Sequence, residues 1–216
     1  MSLEGLKVKI SNCNSCGENR FCPFPNYNDV KGFYGDKDYI FVATQPSESI
    51  FPTQWDERLY YCMDKYGFRD AHLTDLVKCR GEAGREPSQT EISKCVWWLK
   101  EEMKIVNPKV IIALGNTAFT ELIKRFRPVI GMTHYSNQFV SDIDYEKEFQ
   151  RLRDYLDSGN YHHGMKISQL TRTGSKEDRQ LRFREFVEEL KRKRVRGEDY
   201  RDAVAKWNKE NPPKKE

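Results

Sequence analysis

The sequence predicts an α/β fold: a small, mainly parallel sheet with helices on both faces. Three observations carry this. Val110 to Leu114 (VIIAL) is an uninterrupted apolar run of strand length, as expected of a strand covered on both faces. Tyr39 to Thr44 (YIFVAT) is a second such run. Between them lies a helix with a clear start, where Ser88 and Glu91 fit a capping box and Ile92, Val96, Leu99 and Met103 follow at helical spacing. Strands alternating with helices are the pattern of parallel sheets.

Each element follows in order. Residues 1–36 read as irregular, with Pro23, Pro25 and Gly35 as turn formers. The first strand, 39–44, ends at Gln45-Pro46, and a helix near 54–66 ends at Gly67. Ala71 to Val77 reads as the second strand, and Pro108 closes the capped helix. Gly115-Asn116 opens a helix to about Phe126, a charged helical stretch near 140–163 reads as an insertion, and Met165 to Leu170 is the expected fourth strand. Arg179 to Arg194 has an amphipathic pattern, with the basic run Lys191-Arg192-Lys193-Arg194 at its end. This gives one domain over 1–196 and a charged tail over 197–216.

Of the 216 residues, 38% are hydrophobic, enough for a core, and 32% are charged, with a net charge of +4 that does not by itself indicate nucleic acid. No run approaches the ~18 apolar residues of a membrane span, and the N-terminus has no apolar signal region, so a cytoplasmic monomer is expected. In a reducing compartment, patterned cysteines point to metal ligation before disulfides. Cys13-x-x-Cys16 supplies two thiolates, Cys79 at the end of a strand and Cys95 in the next helix supply two more, and four such soft ligands suit an iron–sulfur cluster or zinc. Buried free cysteines are the alternative, and core packing is the default for Cys22 and Cys62.

Lys78-Cys79-Arg80, then Arg85, Pro87, Glu91 and Cys95, resembles the K-C-R-x-x-x-x-R-x-P-x-x-x-E-x-x-x-C stretch of family 4 uracil-DNA glycosylases. Pro108-Lys109-Val110-Ile111-Ile112-Ala113-Leu114-Gly115, with Ala118, resembles that family's next strand and turn. The resemblance spans residues 13–126 and weakens beyond them. It implies a three-layer α/β/α sandwich around a four-stranded parallel sheet. It also implies a structural [4Fe–4S] cluster on Cys13, Cys16, Cys79 and Cys95, with zinc as the alternative, and hydrolysis of the bond between a flipped base and deoxyribose.

The family motifs carry over with changes. The G-E-A-P-G motif falls on Ala43-Thr44-Gln45-Pro46-Ser47, so Thr44 stands for the glutamate, and Gln45 takes the place that holds the attacking water in other branches. Gln45 could do so through its carbonyl but is no general base, and capping the turn is its bland role. Phe51 falls at the base-stacking aromatic, with Ser47 beside the base; a core role is the alternative for Phe51. The base-reading asparagine falls on Asp75. Ionised, it only accepts hydrogen bonds, which favours an amino-bearing base over uracil, unless a salt bridge to Lys78 or Arg80 occupies it. For the last motif, spacing favours Leu170 to Ser175, with Arg172 in the histidine's place and His134 of Thr133-His134-Tyr135-Ser136 in reserve. Lys78, Arg80 and Arg85 are expected to track the DNA backbone, with solvated surface charge as the alternative.

The resulting expectation is a monofunctional DNA glycosylase acting on a base other than plain uracil. Cytosine or a modified cytosine, as in some viral DNA, fits best, with excision serving defence. The alternatives are a catalytically silent DNA- or nucleotide-binding protein, favoured by the lost glutamate and histidine motifs, and a uracil glycosylase with a rearranged site.

Overall fold

A computed structural model of the chain describes residues 1–170 except 18, 48, 82–84 and 160, together with Ala203 and Lys206. Residues 1–168 form one compact unit. The second unit, 169–216, lies almost wholly outside the described residues. So do Arg172, the amphipathic stretch 179–194 and all of the tail except Ala203 and Lys206, which are helical.

The sheet has four parallel strands: β1 (Tyr39–Ala43), β2 (His72–Asp75), β3 (Val110–Leu114) and β4 (Val129–Met132), in the order β2-β1-β3-β4. Side chains alternate across it. Phe41 and Ala43 face helices α2 (Gln54–Lys65) and α5 (Asp142–Asp157), among Leu59, Met63, Phe149 and Leu152. Ile40 and Val42 face α3 (Gln89–Val106) and α4 (Asn116–Leu122), among Ile92, Leu99, Ala118 and Leu122. This is the expected three-layer sandwich. Two capping boxes start helices that pack on it, Thr53 with Asp56 on α2 and Ser88 with Glu91 on α3. Each cap oxygen satisfies first-turn N–H groups, for about 1 kcal/mol.

Three features depart from expectation. The N-terminal stretch is not wholly irregular: α1 (Leu3–Ser11) is capped by Ser2 and buries Leu3, Leu6 and Ile10 against Phe33 and Val106. The fourth strand is Val129–Met132 rather than 165–170. Helix α4 stops at Leu122, so the chain returns to the sheet early; Lys166 makes only an isolated bridge to Gly131, and Ile167–Leu170 is helical. The charged stretch expected near 140–163 contributes α5, whose Tyr145, Phe149, Leu152 and Leu156 are core residues. No helix among the described residues is long and apolar enough to cross a membrane.

Candidate active site and thiol pocket

Parallel strands all end on one side of the sheet, and open α/β sheets bind ligands beyond those carboxyl ends. Here the loops after β1, β3 and β4 border a cleft of about 650 Å³, lined by Thr44, Gln45, Ser47, Trp55, Asn116 and His134 among others. A smaller pocket adjoins it, lined by Phe51, Asp75, Phe24 and Arg80; Pro46, Ser47, Ser49, Asp56 and Tyr135 border both spaces. The fold thus gathers Thr44, Gln45, Ser47, Phe51 and Asp75, as the sequence expects, and adds His134.

Gln45 is held by its amide nitrogen, which donates to the Arg85 carbonyl at 2.7 Å, leaving Oε1 as its acceptor. Gly81 lies against this side chain: a Cβ there would meet Gln45 Nε2 at 2.8 Å and Oε1 at 2.9 Å. His134 follows β4 and rests on Gly115, whose φ is +93° and whose Cβ, if present, would meet the ring's Cδ2 at 3.1 Å. The Ser136 backbone N–H donates to His134 Nδ1 at 3.2 Å. A bare Nδ1 puts the proton of the neutral ring on Nε2. Burial, with help from the Arg58 charge, lowers the His134 pKa to about 4, so the ring is neutral at physiological pH. Arg58 is buried between the rings of Trp55 and Tyr145 and fixes the loop after β4, donating to the carbonyls of Tyr135, Asn137 and Val140.

Asp75 closes β2 and is 3% exposed, and its Oδ1 has no hydrogen-bond partner among the described residues. Burial pushes its carboxyl well above the usual range, and Glu102 and Asp56 push the same way against the pull of Lys78. Burial thus favours the neutral carboxyl, with one donor and one acceptor, over the acceptor-only carboxylate expected from sequence. Phe51 packs edge-on to Tyr27 and Tyr60, with centroids at 5.2 and 5.5 Å, and shares the pocket with Asp75.

The expected DNA-contacting cations divide. Lys78 is 1% exposed and belongs to the core, out of reach of a phosphate. Its ammonium donates to Thr74 Oγ1 at 2.8 Å, the Asp75 carbonyl at 2.6 Å and Glu102 Oε2 at 2.7 Å. Burial opposes the charge of Glu102, but Lys78 and His72 outweigh it and hold its carboxyl below the usual range. The expected salt bridge from Lys78 to Asp75 is thus made to Glu102 instead. Arg85 forms a two-pronged pair with Glu91 at 2.8 and 2.9 Å, and Arg80 donates to Cys22 Sγ at 3.1 Å.

Cys13, Cys16, Cys79 and Cys95 all line one pocket, with Trp98 and Lys94 beside them. The Lys78 backbone N–H donates to Cys95 Sγ at 3.2 Å, support that a thiolate ligand would use. Among the described residues, no three His, Cys, Asp or Glu side chains gather tightly enough for a single metal ion. The four cysteines border one shared space. Cys62 is in the core, as expected.

Sequence reading missed Arg58, Asp56 and Glu102. The one signal for them was charge on the otherwise apolar faces of α2 and α3.

A family model described as the uracil DNA glycosylase superfamily matches residues 33–191. Among curated relatives, the chain is 26% identical over 126 residues to a type-4 uracil-DNA glycosylase of Archaeoglobus fulgidus, covering 54% of this chain and 61% of that protein. It is 29% identical over 124 residues to one of Pyrobaculum aerophilum, covering 53% and 61%. It is 40% identical over 129 residues to one of Sulfurisphaera tokodaii, covering 53% and 54%. The matches therefore span between 54% and 61% of these relatives' lengths. With the sandwich, the cleft at the strand ends and a match running across most of the chain, the protein belongs to the uracil DNA glycosylase superfamily.

Proposed function

We propose that this protein is a monofunctional DNA N-glycosylase that flips and excises a base bearing an exocyclic amino group, cytosine or a modified cytosine, acting as a cytoplasmic monomer in defence against viral DNA. The observation that carries this reading is the pocket at Asp75: an enclosed carboxyl whose Oδ1 has no partner among the described residues, beside an aromatic face and a second carboxyl, Asp56. A buried polar atom without a partner costs about 1–3 kcal/mol, which a bound ligand recovers. A neutral carboxyl matches the Watson–Crick edge of cytosine, donating to N3 and accepting from the N4 amino group. Phe51 supplies the stacking face a flipped base needs.

The chemistry divides among the cleft residues. Gln45, fixed through its amide nitrogen, offers its carbonyl to a water aimed at C1′ of the sugar. As the C1′–N bond breaks, its electron pair leaves with the base, and the N–H on His134 Nε2 is the donor available to that developing anion. The water oxygen bonds C1′ and its proton passes to solvent. His134, which sits in the cleft, is preferred for this role over Arg172, which lies outside the described residues.

The four cysteines, soft ligands lining one pocket, suit an iron–sulfur cluster, with zinc as the alternative. Cys13, Cys16, Cys79 and Cys95 would hold it. Its contribution would be structural, tying the N-terminal segment to β2 and α3.

The test is single-turnover incubation with duplexes carrying cytosine, 5-hydroxymethylcytosine, a bulkier 5-substituted cytosine or uracil, followed by alkali to cut abasic sites. Cleavage at a cytosine-type base is expected. Cleavage at uracil alone would replace this reading with a rearranged uracil glycosylase, and no cleavage with retained DNA binding would replace it with a silent binding protein.

A further inference from the structure

A neutral Asp75 does not by itself choose between bases. Its donor–acceptor pair can also face the edge of uracil in the opposite sense, donating to O4 and accepting from N3–H. The choice needs a second group, and the pocket holds one. Asp56 is 6% exposed and borders both the small pocket and the cleft, so it stands where the two meet.

The helix cap does not account for all of this side chain. Both bonds of the cap use one oxygen: Asp56 Oδ2 accepts from the Thr53 backbone N–H at 2.9 Å and from Thr53 Oγ1 at 2.8 Å. An Asn carbonyl could accept from that same N–H. The first turn of a helix also favours a negative side chain. Burial chiefly raises the pKa values of Asp75, Tyr60 and Tyr135, and the charge of Asp56 adds to it at all three.

We propose that Asp56 is a specificity-determining residue, the second carboxyl of a two-carboxyl wall that selects an amino-bearing pyrimidine whose 5-substituent carries a hydrogen-bond donor. This rests on the reading of Asp75 as the base-edge partner. A carbonyl edge such as the O4 of uracil or thymine meets like charge there. A hydroxyl on a substituent running from the pocket toward the cleft passes Asp56 and donates to it.

The test compares single-turnover cleavage and duplex binding for cytosine, 5-methylcytosine, 5-hydroxymethylcytosine and uracil. The parent should favour 5-hydroxymethylcytosine over 5-methylcytosine. D56N should erase that preference by about 10- to 100-fold, the worth of a hydrogen bond to a charged group, and should raise uracil relative to cytosine. T53A weakens the same cap but keeps the charge; it should lower thermal stability as D56N does, without reordering the bases. If D75N reorders the bases and D56N does not, Asp56 is only a cap and the inference fails while the reading of Asp75 stands. If neither reorders them, both fail. If the parent neither cleaves nor preferentially binds any of the four duplexes, the reading of Asp75 fails and takes the inference with it.

Discussion

The thiol pocket and the cleft share Gln45 and Gly81 as walls, yet they are built on opposite principles. The thiol pocket draws its four sulfurs from segments far apart in the chain, and Cys95 already holds a backbone N–H. The cleft and its side pocket draw on the ends of the strands and leave a buried carboxyl oxygen unpartnered. The first arrangement suits a group that stays, because its loss would separate the segments. The second suits a group that comes and goes, because no described residue partners that oxygen. The difference teaches that cysteine changes should act on folding, and changes in the cleft on rate and choice.

That contrast can be broken or sharpened by experiment. The largest effect is expected at the thiol pocket. Cys79→Ala or Cys95→Ala should eliminate soluble folded protein, and the parent purified without oxygen should show broad absorbance near ~400 nm and about four irons per chain. Stoichiometric zinc without iron would overturn the cluster. The buried pair behind β2 comes next: Lys78→Ala should cost about 3–5 kcal/mol in chemical denaturation, because it strands the Glu102 carboxylate. An unchanged midpoint would show that the pair contributes nothing.

In the cleft, Gln45→Ala should slow single-turnover base release by about 10²-fold, the usual loss for one positioning contact, in a protein of parental stability. An unchanged chemical step would move the water to Thr44 or Ser47. Phe51→Ala should weaken DNA binding by about 1–3 kcal/mol through lost stacking.

The smallest effects lie in pH dependence. The raised pKa of Asp75 means the native state holds a proton that the unfolded chain releases above about pH 3.9. Its burial therefore costs stability at neutral pH, and that cost shrinks as pH falls toward the unfolded value. Asp75→Asn should raise the melting temperature at pH 7, with the gain vanishing near about pH 4. His134 runs the other way. Its pKa of about 4 lies below the unfolded value, so stability is lost as pH falls from about 6.5 toward 4, and His134→Gln should flatten that slope. A melting-temperature series from pH 4 to 8 checks both.

Much of this was legible in the sequence. Strands 39–43 and 110–114 announce themselves because a strand covered on both faces has to be apolar throughout. The start of α3 is plain because Ser88 and Glu91 satisfy each other's end groups. The four cysteines could be grouped because soft ligands in a set imply one site, and they do line one pocket. β4 was hidden because four residues containing a glycine carry too little pattern to separate strand from loop. His134 was set aside on spacing, which the short α4 overrides. Lys78 read as a surface cation because sequence shows its charge and not Glu102, which meets it from α3. The raised pKa of Asp75 was beyond pattern altogether, since it depends on how much of the fold closes over the carboxyl.

Lys78 has one more consequence, for how the chain can change its length. Its main-chain nitrogen is bonded to the sulfur of Cys95 and its ammonium to the carbonyl of Asp75. The backbone between Asp75 and Cys79 is therefore fastened to two neighbours at once, like a strip riveted at both ends. A single residue inserted between Asp75 and Lys78 would break one bond or the other, shifting either the pocket carboxyl of Asp75 or the thiol beside Lys78. Proteins that keep both pockets should hold this interval at constant length.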